Sequence, residues 1–447
     1  MSSMEVLSFI GIILSLTIIV VGSLKGHSLI LVSTLAALVC SITGALATTA
    51  IEGGSLWQIF YDGYAVEYMK GVADIIIQLF PLFLGGQMFG RLLEKTGLPI
   101  AVANAVFKKI GTGGTVAAVY IATLLLSIGG INVYVIIFTM YSLAAAFYKK
   151  AGISRSLIPA NILAAAVAEQ ALPGVPTFNL VIPAQALGVN PSSGFAMGIV
   201  AFLIIGVLNF IYLDRMAKKS MKSGEGFVDR DEDGKATVTL DSEDLPNPFL
   251  LFVPLAFVIV LMNIFVVPAW AALFVGCAVI AVMFYKRLGG MKTVVEFLAE
   301  GAESSQVVMS TGALCGIATL IGSVPGYGIV VSFLEKSSFG SPYIMAAVAV
   351  GLLAGFAGSA LGGIQFVLAN FADKFIAMGA SPVAITRIMA VSSLTLDSLP
   401  HNSANILTFQ YCKVTYKEGY IHLVFCTILT TLLATVATVV MAELGMF

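Results

Sequence analysis

The chain has 447 residues, of which 59% are hydrophobic and only 11% charged, and its mean hydropathy is +1.00. Soluble domains carry about 25% charged residues, so 23 Lys and Arg with 24 Asp and Glu cannot solvate a globule of this size. The apolar content excludes disorder as well, which leaves an all-α polytopic membrane protein. A net charge of −1 predicts no nucleic-acid partner. The five cysteines, Cys40, Cys277, Cys315, Cys412 and Cys426, lie mostly in apolar runs without CxxC or Cys/His spacing. They support neither a disulfide framework nor a metal site.

The opening MSSMEVLSFIGIIL lacks a basic n-region and a small-residue cleavage site, so it reads as a first membrane helix. A crossing helix needs about 20 apolar residues. In chain order the spans are 5–23, 28–50, 71–93, 192–213, 248–267, 269–286, 304–333 and 420–444. Four further apolar segments are interrupted. Residues 115–148 and 342–376 divide at Gly-rich centres, and 156–188 and 382–411 divide at Pro, Gly and polar residues. The halves of the first, 115–128 and 133–148, are too short to cross at 1.5 Å per residue, which predicts re-entrant hairpins.

Basic residues cluster at Lys108–Lys109, Lys149–Lys150, Arg155, Arg215–Lys222, Lys286–Lys292 and Lys413–Lys417, whereas 51–70 is acidic. Placing the basic loops in the cytoplasm puts both termini outside and gives ten full spans with two hairpins. Residues 214–247 hold six Lys or Arg and nine Asp or Glu, and read as a cytoplasmic linker between two halves. The halves are 1–213, with hairpin 115–148 and broken helix 156–188, and 248–447, with hairpin 342–376 and broken helix 382–411.

The halves resemble each other. Gly152 precedes Pro173 by 21 residues, and Gly379 precedes Pro400 by 21. Each proline follows a leucine and opens a polar cluster. Upstream, Ser127-Ile-Gly129-Gly130-Ile-Asn132 has a counterpart in Gly358-Ser359-Ala-Leu-Gly362-Gly363-Ile-Gln365. The threading turns 71–93 inward and 304–333 outward, so the two copies are inverted repeats, the architecture of secondary transporters.

Broken backbone at membrane depth persists where it lines a polar cavity, and the helix N-termini it exposes favour an anion. The expected binding residues are Ser127, Gly129, Gly130 and Asn132, then Gly174, Thr177 and Asn179. In the second half they are Ser359, Gly362, Gly363, His401, Asn402, Ser403 and Asn405. Their hydroxyl and amide groups suit a small organic acid or Na⁺, and they equally suit helix packing. Ionisable residues in apolar segments are expensive and point to function. Glu169, Asp397 and His401 are the candidates for the coupling ion, with Asp397 alternatively clamping the broken helix. Arg387 reads as a snorkelling or interface residue.

Asp397-Ser-Leu-Pro-His-Asn402 is similar to the second-half motif of the gluconate permease (GntP) family of organic-acid transporters. Ala171-Leu-Pro-Gly-Val-Pro176 with Asn179-Leu-Val-Ile-Pro183 resembles the first-half counterpart, and the likeness extends over roughly 70–213 and 290–445. The first break here has no histidine, which leans away from gluconate toward a shorter acid. The resemblance implies the ion-transporter superfamily, with a homodimer, a scaffold and a moving transport domain, and elevator-type alternating access. Its substrates would be 3-hydroxybutyrate-, gluconate- or citrate-like acids, imported with H⁺ or Na⁺ across the cell inner (cytoplasmic) membrane, with no other cofactor. A cation/proton antiporter without organic substrate is the competing reading. No GxSxG, HExxH or paired-aspartate pattern points to an enzyme.

Overall fold

A computed structural model describes residues 2–25, 27–110, 114–128, 133–224, 226–228, 230, 245–337, 340–400 and 402–447. The described residues form helices and connecting turns. In the first half they are α1 (Ser3–Leu24), α2 (Leu29–Glu52), α3 (Leu56–Tyr61), α4 (Met69–Lys95), α5 (Leu98–Ile110), α6 (Thr115–Ile128), α7 (Val133–Ala151), α8 (Ile158–Gln170), α9 (Phe178–Ala186) and α10 (Phe195–Ser223). A π-helical stretch, Asp62–Tyr68, joins α3 to α4. The second half runs α11 (Phe252–Asn263), α12 (Ala269–Met283), α13 (Met291–Ser304), α14 (Val307–Ser323), α15 (Tyr327–Ser337), α16 (Pro342–Ala357), α17 (Ala360–Ala377), α18 (Pro382–Asp397), α19 (Ser403–Tyr411), α20 (Tyr416–Leu423) and α21 (Thr430–Glu443).

Both expected hairpins and both broken helices have helical arms at the predicted places. Gly358 ends α16 in the left-handed region (φ 58°), where only glycine is unstrained, and Ser359 caps α17 by accepting from the Gly362 N–H at 3.3 Å. Gly362 and Gly363 are buried, and a methyl group on Gly363 would lie 2.8 Å from Ala354 Cα, so the two arms touch through backbone. Gly152 and Gly379, the repeat markers, both take positive φ between a hairpin and its broken helix.

Several spans differ from expectation. Residues 304–333 are not one helix: α14 stops before Val324-Pro325-Gly326, because Pro325 cannot continue the hydrogen-bond ladder. Residues 71–93 form a bent span, with 43° between Leu56–Ile77 and Leu79–Lys95. Pro81 causes this bend, since its ring displaces the carbonyl four residues earlier. Helix α10 continues to Ser223, so the first ten residues of 214–247 are helical. Among the described residues, five helical stretches are long and apolar enough to cross a membrane, one of them α13 running into α14, and the bent pair makes a sixth. Ten full spans would require shorter helices such as α11 and α12 to cross as well. Helices α3, α5 and α13 had no counterpart among the predicted elements, and α15 holds the end of the span predicted over 304–333.

The packing shows an internal correspondence. Helix α2 packs on α14 as α12 packs on α4; α6 packs on α8 as α16 on α18; and α8 packs on α10 as α18 on α21. Across the halves, α9 lies on α17 and α18, and α19 lies on α7 and α8. The α4–α14 and α10–α21 contacts are their own counterparts. The α4–α14 seam is built from Gly71, Gly312 and Gly316, which let the backbones approach closely.

Candidate functional site

At the first break, α8 ends at Gln170, and Gly174 (φ 79°) turns the chain before α9 starts. The two half-helices are laced together: Asn179 Nδ2 donates to Gln170 Oε1 at 2.6 Å. Thr177 occupies the N-cap of α9 but its side chain caps nothing. Leu180 and Val181 donate to the Thr177 carbonyl, whereas the N–H groups of Phe178 and Asn179 have no partner among the described residues. The α9 N-terminus is therefore uncapped.

This end opens on a cavity of about 220 Å³. Its walls come from α8 and α9 (Glu169, Gln170, Thr177, Phe178, Asn179), from the first hairpin (Ser127, Val133, Ile136), and from α4 and α12 (Gly86, Gln87, Leu273). The Phe178 ring stacks on Phe83 of α4 with centroids 4.4 Å apart, closing one side. Ser127 is 7% and Glu169 5% exposed, yet among the described residues Ser127 Oγ, Glu169 Oε1 and Thr177 Oγ1 have no hydrogen-bond partner. Buried polar atoms are normally paired. Three unpaired oxygens thus meet on one small cavity.

The second break is the opposite. Asn402 Nδ2 donates to Asp397 Oδ1 at 2.8 Å and to the Gly358 carbonyl at 3.2 Å, fastening the break to the hairpin tip. Asn402 Oδ1 accepts from the N–H groups of Ala404 and Asn405 at 2.8 and 3.1 Å, so α19 is fully capped. Asn405 Nδ2 donates to the Leu399 carbonyl at 3.3 Å. The carbonyls of Pro400 and Ser398 accept from the hydroxyls of Tyr416 and Tyr420, at 2.9 and 3.1 Å. Asp397 here does what its clamping alternative required.

The structure thus brings Ser127, Glu169, Thr177 and Asn179 together, with Gly174 shaping their loop. It separately gathers Ser359, Asp397, Asn402 and Asn405, which do not line that cavity. Ser403 opens α19. Gly129, Gly130, Asn132 and His401 lie outside the described residues. Arg387 does not snorkel to the surface: it is 1% exposed, and its Nε and Nη2 each donate at 2.6 Å, to the carbonyls of Ser193 and Pro191. It ties α18 to the loop before α10. The sequence reading passed over Gln170, Gln87 and the two tyrosines. Gln170 had one signal: it stands three residues before Pro173, as Asp397 stands before Pro400.

With this geometry in view, comparison with known proteins is informative. No family model matches the chain. It is 25% identical over 470 residues to the uncharacterized transporter YxjC of Bacillus subtilis (strain 168), covering 95% of this chain and 97% of that protein. An uncharacterized transporter of Haemophilus influenzae is 23% identical over 340 residues, covering 74% and 77%. The crystal structure of the Alcanivorax borkumensis YdaH transporter, described as having an unusual topology, superposes with a TM-score of 0.59 at 14% identity over 83% of this chain and 86% of that one.

The comparisons support a transporter. They bring a multi-pass helical fold with them, and the apolar helices of this chain agree.

Proposed function

We propose that this chain is a secondary active transporter that imports a small organic anion with H⁺ or Na⁺, and that the solute binds in the cavity at the first helix break. The observation that carries the reading is the trio of unpaired oxygens on Ser127, Glu169 and Thr177, facing a space of about 220 Å³. The two poles of that space differ chemically. The uncapped end of α9, with the Phe178 and Asn179 N–H groups and the positive end of the helix dipole, suits a carboxylate. Glu169 with the Ser127 hydroxyl suits a proton or a hard cation. A cation at Glu169 would offset the repulsion between that carboxylate and an incoming anion, which makes binding of the two interdependent.

The paired packing of the halves and the basic-residue pattern support inverted repeats, with both termini outside. The cavity lies between α4 and α12 on one side and α6 to α9 on the other, which suits elevator-type movement of the broken-helix unit along a scaffold. Membership of the gluconate permease family, a homodimer and residence in the cell inner membrane complete the proposal. The competing reading, a cation/proton antiporter, draws on Glu169 being the one charged residue on the cavity wall among those described.

Uptake into proteoliposomes decides between them. Labelled 3-hydroxybutyrate, gluconate and citrate are offered with an imposed pH or Na⁺ gradient. Gradient-dependent accumulation of one acid is the expected result; Na⁺–H⁺ exchange without any added acid would favour the antiporter. Thr177→Asp locates the anion pole. An N-cap aspartate strengthens the helix start and puts a fixed carboxylate where the substrate's would lie. Acid binding should fall at least tenfold while thermal stability holds or rises, as read by calorimetry and melting.

A further inference from the structure

The first turn of α20 is where the linker, the second break and the start of α8 meet. Glu418 closes a capping box with Thr415 and also accepts from Arg230 Nη2 at 2.5 Å; Arg230 Nη1 donates to the Lys413 carbonyl. Lys413 holds positive φ (53°), a strained conformation for a residue with a side chain, in the turn between α19 and α20. One residue from Glu418, Gly419 lies so close to the turn before α8 that a methyl group there would be 2.8 Å from the Ser156 carbonyl. On the same turn, Tyr416 and Tyr420 reach up to the Pro400 and Ser398 carbonyls, and the Tyr416 ring stacks on Phe409 of α19 at 4.5 Å. Helix α20 therefore touches two carbonyls of the second break, α19 and the turn before α8.

The linker is seated here by more than Arg230. The buried Arg155 guanidinium donates to the Val228 carbonyl at 3.2 Å and lies 5.0 Å from the Phe227 ring centroid. At the other end of the linker, Leu245 and Pro246 flank Gly97, just beyond α4. The linker thus begins on the broken-helix unit and ends against the helix that forms the opposite wall of the cavity.

We infer that Arg230, Glu418, Tyr416 and Tyr420 form a positioning relay. The linker, held by Arg230, sets the pitch of α20, and the two tyrosine hydroxyls transmit that setting to the carbonyls of the second break. None of the four touches the proposed solute cavity, so the relay does not depend on the transport reading. Released carbonyls loosen the turn that Asn402 fastens to the hairpin tip, and the break then opens more often. An exposed ion pair is weak and is screened within about 3 Å at 1 M salt, so the effect is modest and salt-dependent.

Amide hydrogen exchange of the intact protein in detergent tests this without any solute. Exchange in 398–405 should accelerate about three- to fivefold in Arg230→Gln, an effect of the size an exposed pair allows. Tyr416→Phe with Tyr420→Phe should accelerate it at least as much, and adding Arg230→Gln to that pair should do nothing more. Arg230→Lys, which keeps a positive donor facing Glu418, should stay nearer the wild-type rate than Arg230→Gln, and 1 M NaCl should move the wild type toward the Arg230→Gln rate. Unchanged exchange at 398–405 in Arg230→Gln, or a fully additive triple variant, would overturn the relay. Acceleration spread equally over α8 and α18 would overturn it too, by showing general destabilisation.

Discussion

Glu169→Gln is expected to abolish cation-coupled uptake while leaving the protein folded. Glu169 is 5% exposed, has an unpartnered Oε1, and is the one carboxylate among the described residues of the cavity wall. A bond to a charged group is worth about 1.5–3 kcal/mol, so the amide should weaken binding of the coupling ion by roughly 10- to 100-fold. Removing an unpaired buried carboxylate also removes its desolvation cost, and the melting temperature should hold or rise. Flux under a Na⁺ or pH gradient, together with thermal melting, measures both effects. Wild-type coupling in a folded Glu169→Gln protein would move the ion site elsewhere. Asp397→Asn is the instructive contrast. Asp397 already accepts from Asn402, so its loss should register first as lower stability.

The second large effect is expected at the α4–α14 seam. A methyl group on Gly316 would lie 2.8 Å from the Tyr68 carbonyl and 2.6 Å from Val72 Cγ2, and one on Gly71 would lie 3.0 Å from Gly316 Cα. Backbone cannot move aside as a side chain can. Overpacking costs about 1–3 kcal/mol where neighbours relax; Gly316→Leu should exceed that range and leave little folded protein, and Gly316→Ala should fall within it. The loss should reach the cavity as well, because α4 carries Gly86 and Gln87 on its wall. Gly328→Ala, with nothing within 4 Å, is the control and should melt with the wild type. Size-exclusion profiles and melting curves read the series, and equal melting of Gly316→Ala and Gly328→Ala would show that the seam tolerates a side chain.

Much of this was written in the sequence. Helix breaks announce themselves because Pro173 and Pro400 remove donors in otherwise apolar runs, and the 21-residue intervals from Gly152 and Gly379 match. Glu169 was legible as a charge where charge is costly. Other features depend on contacts across hundreds of residues, which local pattern does not carry. Nothing near Arg387 in the chain says that its partners are the carbonyls of Pro191 and Ser193. The stop at Pro325 was hidden by the hydrophobicity of 304–333, since an apolar count registers lipid preference and is blind to a missing N–H. The difference between the two breaks was equally hidden. Thr177 and Asn402 are both good caps by composition, yet only Asn402 turns its side chain onto its own helix.

The cavity has walls from two groups of helices, with Gly86, Gln87 and Leu273 facing Glu169, Thr177 and Phe178. In the movement proposed above, a compound spanning both faces would act as a bolt, because sliding one past the other would require it to let go. On that proposal, inhibitors are to be sought among molecules somewhat longer than the proposed organic anion, carrying an acid at one end and a flat apolar group to slip beside Phe83 and Phe178 at the other.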